Sequence, residues 1–497
     1  MAGGRPLILT LDLGTSTTKA IVWDADGPHA EGRAPLETTF AAGDRAEQDP
    51  ADWWRSVVAA CAEARAGSSG VFDAVQAVGF AAARQTFVPV TDSGEALGPA
   101  IVWSDRRAGV QALALADRLG GMAAARRRTG AVLDGAALAA KAAWLAAHDP
   151  DRLAESRWLL TPRDLVVLRM TGEVATDLTM VSAAGLCDPS GEFLPELLAV
   201  TGGRIPPVLS SMAVAGILDP APAAELGLRS GLPVCIGAGD RACEMLGTAA
   251  GSRPMVSWGT TANASLLVDV FPDPPPDGLI VTKAATGGWL LEGGLSAAGS
   301  LLAWLSALTG LDHETLMTEA AASPAGASGV VALPWFGGAR APWWRPNGRG
   351  AFVGLSFDHD AGDLARAAIE SVAWDVRRCL VTMGAIAPQH RPAAASVALT
   401  SLVLTGSDGR TNPWPAILTA VTGMAAVRRR TGQAASAGAA LLAATAIGAR
   451  YDLDRLDPVV DTLEPDPTAR ARYAELAADA DAAAHAVLAL GDGGDGT

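Results

Sequence analysis

One pattern occurs twice in this chain, and it narrows the fold more than any other feature. Residues 7–12 form an apolar run ending in Asp12, followed by Gly14-Thr15-Ser16-Thr17-Thr18 and a second apolar run over 20–23. Residues 255–258 form another apolar run, followed by Gly259-Thr260-Thr261 and a further run over 265–268. Each reads as strand, tight turn, strand. Overlaid, Gly14-Thr15 falls on Gly259-Thr260, and Asp24 falls on Asp269 at the same offset. A hairpin repeated in each half is the mark of a chain built from two related domains.

A length of 497 residues agrees with that, since domains run to about 100–200 residues. Between and after the hairpins, helical and strand patterns alternate. Residues 53–66 and 136–147 read as helices, and 74–80 and 233–237 as strands. The second half gives helices at 301–309, 364–383, 415–422 and 434–448, with a strand at 396–405. Such alternation predicts α/β domains with mixed sheets.

The formal net charge of −15 argues against a nucleic-acid partner. The two short basic clusters, Arg126-Arg127-Arg128 and Arg428-Arg429-Arg430, read as solvated element ends. Five cysteines without a Cys-x-x-Cys pair exclude a disulfide framework and a zinc ribbon. Nothing before the first strand resembles a signal peptide. The uncharged window 434–449 is too rich in Ala and Gly for a membrane span, and reads as a closely packed interior helix. The expectation is a soluble cytoplasmic protein that uses no membrane.

An acidic protein that binds phosphate must do so locally, with backbone amides, a few cations and a metal ion. Asp12-Leu13-Gly14-Thr15-Ser16-Thr17-Thr18-Lys19 has those parts. Its glycine lets backbone N–H groups approach an anion, Thr15 and Ser16 add hydroxyl donors, and Lys19 adds charge. Asp12 is placed to hold magnesium through water. Taken alone, the same stretch also reads as an ordinary solvated hairpin. The segment Gly237-Ala238-Gly239-Asp240 follows a buried strand. A dinucleotide fingerprint through Gly237, Gly239 and Ala242 would set Asp240 against a pyrophosphate and lacks an acid near Ala262 and Asn263. Asp240 is placed instead as a general base on a hydroxyl, or as the cap of the helix that follows; one role does not preclude the other. No Walker A sequence, His-Glu-x-x-His or Gly-x-Ser-x-Gly occurs.

In that order the motifs resemble the FGGY family of carbohydrate kinases, within the actin, hexokinase and chaperone ATPase superfamily. Asp12-x-Gly14-Thr15-Ser16-x-x-Lys19 is similar to its first phosphate hairpin and Trp258-Gly259-Thr260-Thr261 to its second. Gly237-Ala238-Gly239-Asp240 is similar to the segment carrying its base. Gly350-Ala351-Phe352-Val353-Gly354-Leu355, followed by 363–370, resembles its C-terminal signature. The resemblance spans about residues 7–450. It implies two ribonuclease-H-like (actin-like ATPase) domains facing a cleft, with residues 1–248 as the substrate and phosphate side and 249–497 as the nucleotide side. It implies ATP and Mg2+, a small sugar or polyol substrate, and a possible homodimer. Asp240 and Asp12 become the catalytic residues. Gly14, Thr15, Ser16, Lys19, Gly259, Thr260, Thr261, Gly406, Ser407 and Thr411 become ATP and phosphate ligands. Arg84, Gln85, Trp103, Asp105 and Asp240 become substrate ligands.

Two departures bear on specificity. The family's adenine-side loop is Gly-Gly-Gly-Ala, whereas this chain reads Thr405-Gly406-Ser407-Asp408-Gly409-Arg410-Thr411. Xylulokinases carry Gln-Met-His-Gly after the strand at 74–80 and glycerol kinases Gln-Arg-Glu-Thr, whereas this chain has Ala83-Arg84-Gln85-Thr86. The aromatic that packs on glycerol falls on Ala136. A xylulokinase-like pentulose kinase is the favoured reading. Glycerol, erythritol and gluconate kinases are the alternatives, with Arg84 then pairing a carboxylate. A sensor without turnover is the outside case. Trp343 and Trp344 are candidates for stacking on a sugar, or for simple packing.

Overall fold

The computed structural model describes residues 6–42, 44–251, 253–390, 399–406 and 413–492. The first large sheet contains β1 (Leu7–Leu13), β2 (Thr17–Asp24), β3 (Gly27–Pro35), β4 (Val75–Ala82), β5 (Val214–Ile217), β6 (Pro233–Cys235) and β7 (Ala238–Gly239). Its order is β5-β6-β4-β1-β2-β3, with β7 beside β4. The second contains β8 (Met255–Trp258), β9 (Ala262–Val268), β10 (Ile280–Lys283), β11 (Trp289–Gly294), β12 (Ser401–Thr405), β13 (Ala425–Arg429) and β14 (Val459–Leu463). Its order is β10-β11-β9-β8-β12-β13-β14.

From the centre outward the two sheets have one topology. β1 and β8 each pair antiparallel with the next strand and parallel with β4 and β12. Parallel β6 and β13 follow, then antiparallel β5 and β14. Antiparallel β3 and β11 lie on the other side. The repeated hairpins of the sequence are therefore the centres of two like sheets.

Both faces of these sheets are covered. Helix α1 (Pro50–Ala66) starts at Asp49, whose carboxylate accepts from Ala51 N at 3.0 Å, with Pro50 in the first turn. Its buried Trp53, Val57 and Cys61 recur at helical spacing and share a cluster with Leu9, Leu11 and Val22. Helix α2 (Asp240–Thr248) closes the first half of the chain. Helix α3 (Ala361–His390) crosses the second sheet, where Ile369, Val372 and Val376 join Leu266 and Leu404. Helix α4 (Trp414–Thr422) packs in the same core, and helix α5 (Ala434–Ala446) is buried along most of its length.

The halves exchange these last helices. Ala242, Cys243 and Met245 of α2 cluster with Met255, Leu290 and Val403 of the second sheet. Ala437 and Ala440 of α5 cluster with Ile21 and Trp23 of the first, and Ala443 with Ile8, Ala77 and Cys235. Where α2 and α5 touch, both need glycine. A Cβ on Gly247 would lie 1.9 Å from Ala434 O, and one on Gly438 would lie 2.0 Å from Cys243 O. The uncharged 434–449 window is thus an interior helix, as its composition predicts. Among the described residues no helix is long and apolar enough to cross a membrane. All five cysteines are free and buried.

Candidate active site

The first hairpin turns over Gly14 N–H donating to Thr17 O at 3.2 Å. Asp12 and Lys19 are register partners on its two strands, with Nζ 3.9 Å from Asp12 Oδ2. Lys19 also donates to Gln433 Oε1 at 3.1 Å, reaching the second half of the chain. Burial raises the Asp12 pKa to about 6; Lys19 opposes this, and the charges of Asp240 and Glu244 add to it. Asp12 and Asp240, far apart in sequence, therefore share one electrostatic site. Thr15 Oγ1 accepts from Trp103 Nε1 at 2.7 Å, while exposed Ser16 makes no side-chain hydrogen bond among the described residues.

Gly237 sets up Asp240. Its φ is +68°, and a Cβ there would sit 1.9 Å from Phe80 O, so glycine alone fits this turn. The chain passes through β7 and enters α2 with Gly239 as its cap. Asp240 is the first helical residue and its Oδ1 accepts from Arg241 N at 2.7 Å, so the carboxylate sits at the positive end of α2. It is 31% exposed, open enough to meet a ligand. Arg84 Nε lies 3.2 Å from Asp240 Oδ1.

The rest of the Arg84 guanidinium is taken by Glu292 of β11, with Nη1–Oε1 at 2.9 Å and Nη2–Oε2 at 2.6 Å. Thr282 Oγ1 also donates to Glu292. Burial drives the Glu292 carboxyl up, but Arg84 and Thr282 outweigh it and hold its pKa below the usual range. Arg84 is thus held between two carboxylates, and the pairing with a substrate carboxylate expected from sequence is not offered. Beside it, Arg241 pairs with Glu244 at 2.7 Å, and Glu244 Oε1 accepts from Ser257 Oγ of β8 at 3.0 Å.

The remaining sequence candidates divide. Gln85 has φ +65°, and its Oε1 is a buried acceptor with no partner, ready for a hydroxyl donor. Its carbonyl accepts from Lys141 Nζ at 2.8 Å, and Lys141 also donates to Val102 O at 3.0 Å. Trp103 faces the phosphate hairpin through its bond to Thr15. Asp105 is not brought to the open site. It is 0% exposed, with Arg107 Nη2 and Ala46 N donating to its Oδ2 at 2.6 and 2.7 Å. It braces the turn behind Trp103. Trp343 is also a packing residue, donating to Asp375 Oδ1 at 2.9 Å and meeting Trp335 edge-on.

On the other side, exposed Thr260 and half-buried Thr261 make no side-chain hydrogen bond among the described residues. The carbonyls of Gly259 and Thr260 accept from Gly299 N and Ser300 N at 2.9 and 3.1 Å, tying this turn to the start of the next helix. Gly406 follows β12, while Ser407 and Thr411 lie outside the described residues. Among the described residues no three His, Cys, Asp or Glu side chains form a metal cage. A magnesium ion here fits only as one held by Asp12 together with phosphate oxygens and water, a common arrangement for that ion.

Sequence reasoning missed Glu292, Glu244, Arg241 and Arg340. Arg340 lies over the rings of Trp103 and Trp344, at 5.6 and 5.7 Å from their centroids. It has no ion pair or side-chain hydrogen bond among the described residues. Burial lowers its pKa; Asp134 opposes this, and Arg106, Arg241 and Arg84 add to it. Glu292 did leave a trace in the sequence: a single charge inside the apolar run Trp289–Gly294.

Two like α/β domains, each with a sheet centred on such a hairpin, define an actin-like ATPase fold. Residues 7–247 match the N-terminal domain of the FGGY family of carbohydrate kinases, and residues 255–447 match its C-terminal domain. The chain belongs to that family and is an ATP-dependent carbohydrate kinase. It is 31% identical to a glycerol kinase of Leptothrix cholodnii over 471 residues, covering 90% of this chain and 92% of that one. It is 28% identical to a xylulose kinase of Streptomyces rubiginosus over 494 residues, covering 96% and 97%. Its structure superposes on a xylulose kinase from Brucella ovis with a TM-score of 0.85 at 27% identity, covering 97% and 100%. A gluconate kinase from Lactobacillus acidophilus shares the fold, with a TM-score of 0.83 at 21% identity and coverage of 98% and 99%.

Proposed function

We propose that Asp240 takes the proton from a hydroxyl of a small sugar or polyol as that oxygen attacks the γ-phosphate of ATP in line. The observation that carries this is the part-open Asp240 carboxylate at the start of α2, fixed by Arg84 and sharing its electrostatic field with Asp12. The turns at Gly14-Thr15-Ser16 and Gly259-Thr260-Thr261 hold phosphates with backbone N–H groups and hydroxyl donors. Asp12 would hold magnesium, which supplies charge neutralisation at the phosphates. Trp103 and Thr15 join the sugar side to the phosphate side. The division at 248/249 assigns the base and first hairpin to one domain and the nucleotide side to the other. Catalysis is then mainly positioning and electrostatics.

A pentulose is the favoured substrate. Support comes from the xylulose kinase relatives and from Ala136, which stands where glycerol kinases place an aromatic and leaves room for a longer carbon chain. The test is ADP release with ATP and magnesium across pentuloses, glycerol, erythritol and aldonates. Asp240→Asn is expected to lose about 100-fold or more in kcat with its fold intact. Full activity in that variant would remove Asp240 as the base.

One observation favours a second reading, a sugar acid. Arg340 and Arg106 have no anionic partner among the described residues, and Asp134 is the carboxylate whose charge bears most on Arg340. A carboxylate on the substrate would neutralise them. Arg340→Gln would then raise KM for an aldonate by about 10-fold or more, as expected for a lost charged hydrogen bond. A pentulose hit that this variant leaves unchanged would remove the sugar-acid reading.

A further inference from the structure

Glu292 has no part in the chemistry above, yet it sits at the centre of the site's wiring. It lies on β11 opposite Ser265 of β9 and Ile280 of β10, with Leu290 and Leu291 beside it. Its side chain is 1% exposed. An apolar residue would suit that strand, and exchanging a buried ion pair for apolar packing is often neutral or stabilising. Stability alone does not account for the carboxylate.

Its geometry does. The two parallel bonds from Arg84 fix the plane of the guanidinium, because a bidentate fork allows one orientation. On its other side the guanidinium lies beside the second carboxylate, with Nε 3.2 Å from Asp240 Oδ1 as an ion pair without an aligned hydrogen bond. Arg84 stands on the loop after β4 in the first sheet, whereas Glu292 belongs to the second sheet. The orientation of the group that touches Asp240 is therefore set from the opposite domain. Without Glu292, Arg84 is free to turn both terminal nitrogens onto Asp240 and cover the oxygens that must accept a proton.

We propose that Glu292 is a positioning residue: through Arg84 it makes the placement of the Asp240 carboxylate depend on the seating of the C-terminal domain. This rests on the reading of Asp240 as the base. It provides a physical reason for the two domains to come together before proton transfer.

The test uses the full chain and the substrate that turns over fastest in the panel. Glu292→Gln is expected to lower kcat by about 10-fold or more, a fraction of what a general base contributes. KM for sugar and ATP is expected to stay within about 3-fold, since no substrate contact is removed. Glu292→Asp keeps the charge and recovers part of the rate. Arg84→Lys combined with Glu292→Gln is no slower than the worse single variant, the non-additivity of residues acting in one chain. A folded Glu292→Gln with unchanged kcat overturns the proposal, as do multiplicative effects in the double variant or a change in KM alone. Amide hydrogen exchange provides a readout that needs no turnover: Glu292→Gln is expected to speed exchange at residues 83–87 and 238–242. Faster exchange in a protein silent across the panel keeps the link between domains and rejects the substrates named in the panel. Unchanged exchange rejects the link itself.

Discussion

Lys141 is a buried lysine whose two bonds go to backbone carbonyls, those of Gln85 and Val102. A neutral amine has two N–H donors, and here it finds two acceptors. Burial lowers its pKa to about 7, against the opposing pull of Asp105 and Asp134. Between that value and the ordinary 10.5, the unfolded chain binds a proton that the folded chain does not. Stability from this group therefore rises with pH across the window, and its cost is fully present below about pH 7. Denaturant titrations of wild type and Lys141→Met at pH 7 and pH 9.5 should show wild type gaining roughly 2–3 kcal/mol on the variant. Equal shifts in both proteins would mean that Lys141 stays charged in the fold. Asp12 has the opposite sign. Its pKa is raised to about 6, so the ligand-free fold loses stability from this group as pH rises from 3.8 to 6, and the cost is complete above that. Asp12→Asn is thus expected to stabilise the free protein at pH 7.5 by roughly 1–3 kcal/mol while costing about 100-fold or more in kcat. A variant that is both less stable and inactive would place Asp12 in a structural role.

At the scale of elements, the decisive unit is β6, the turn at Gly237, β7 and α2. The turn must bring the chain against Phe80 O, and only then does Asp240 begin a helix with its carboxylate beside Arg84. Gly237→Ala combines a positive φ with a backbone clash, so a loss of about 2 kcal/mol or more in stability is expected, with a fall in kcat from a displaced base. Unaltered kinetics in a destabilised but folded variant would show that the turn does not set the base. These local units were legible in the sequence because glycines, strand ends and acids sit within a few residues of one another. The hairpins, the Gly237–Asp240 turn and the Ala/Gly-rich helix α5 could each be read from one window. Glu292, Glu244 and Arg340 could not, because each acquires its meaning from a residue more than a hundred positions away or on the opposite half of the chain. Asp105 shows the reverse limit. Its motif looked like part of the site, but its partners, Arg107 and Ala46, hold it behind Trp103.

For the whole molecule, the repeated hairpin announced two like domains but gave no sign of how they are joined. The join is an exchange: α2 of the first half covers the second sheet, α5 of the second half covers the first, and the two helices meet backbone to backbone at Gly247 and Gly438. Each half also has a large core of its own, around Trp53 and Phe80 in one and around Trp258 and Trp414 in the other. Two sound cores, joined through this tight crossing and through the Lys19–Gln433 and Arg84–Glu292 contacts, should unfold together while the crossing is intact. Gly438→Ala inserts a methyl 2.0 Å from Cys243 O, and backbone cannot yield as a flexible side chain would. The helices must move apart, at an expected cost of about 2 kcal/mol or more. Calorimetry should then resolve two unfolding transitions where wild type shows one merged event. The same separation would loosen the grip of Glu292 on Arg84, so kcat should fall even though residue 438 touches no ligand. A single unshifted transition with full activity would mean that the domains are held together elsewhere, with the ion pair at Arg84 and Glu292 the first place to look.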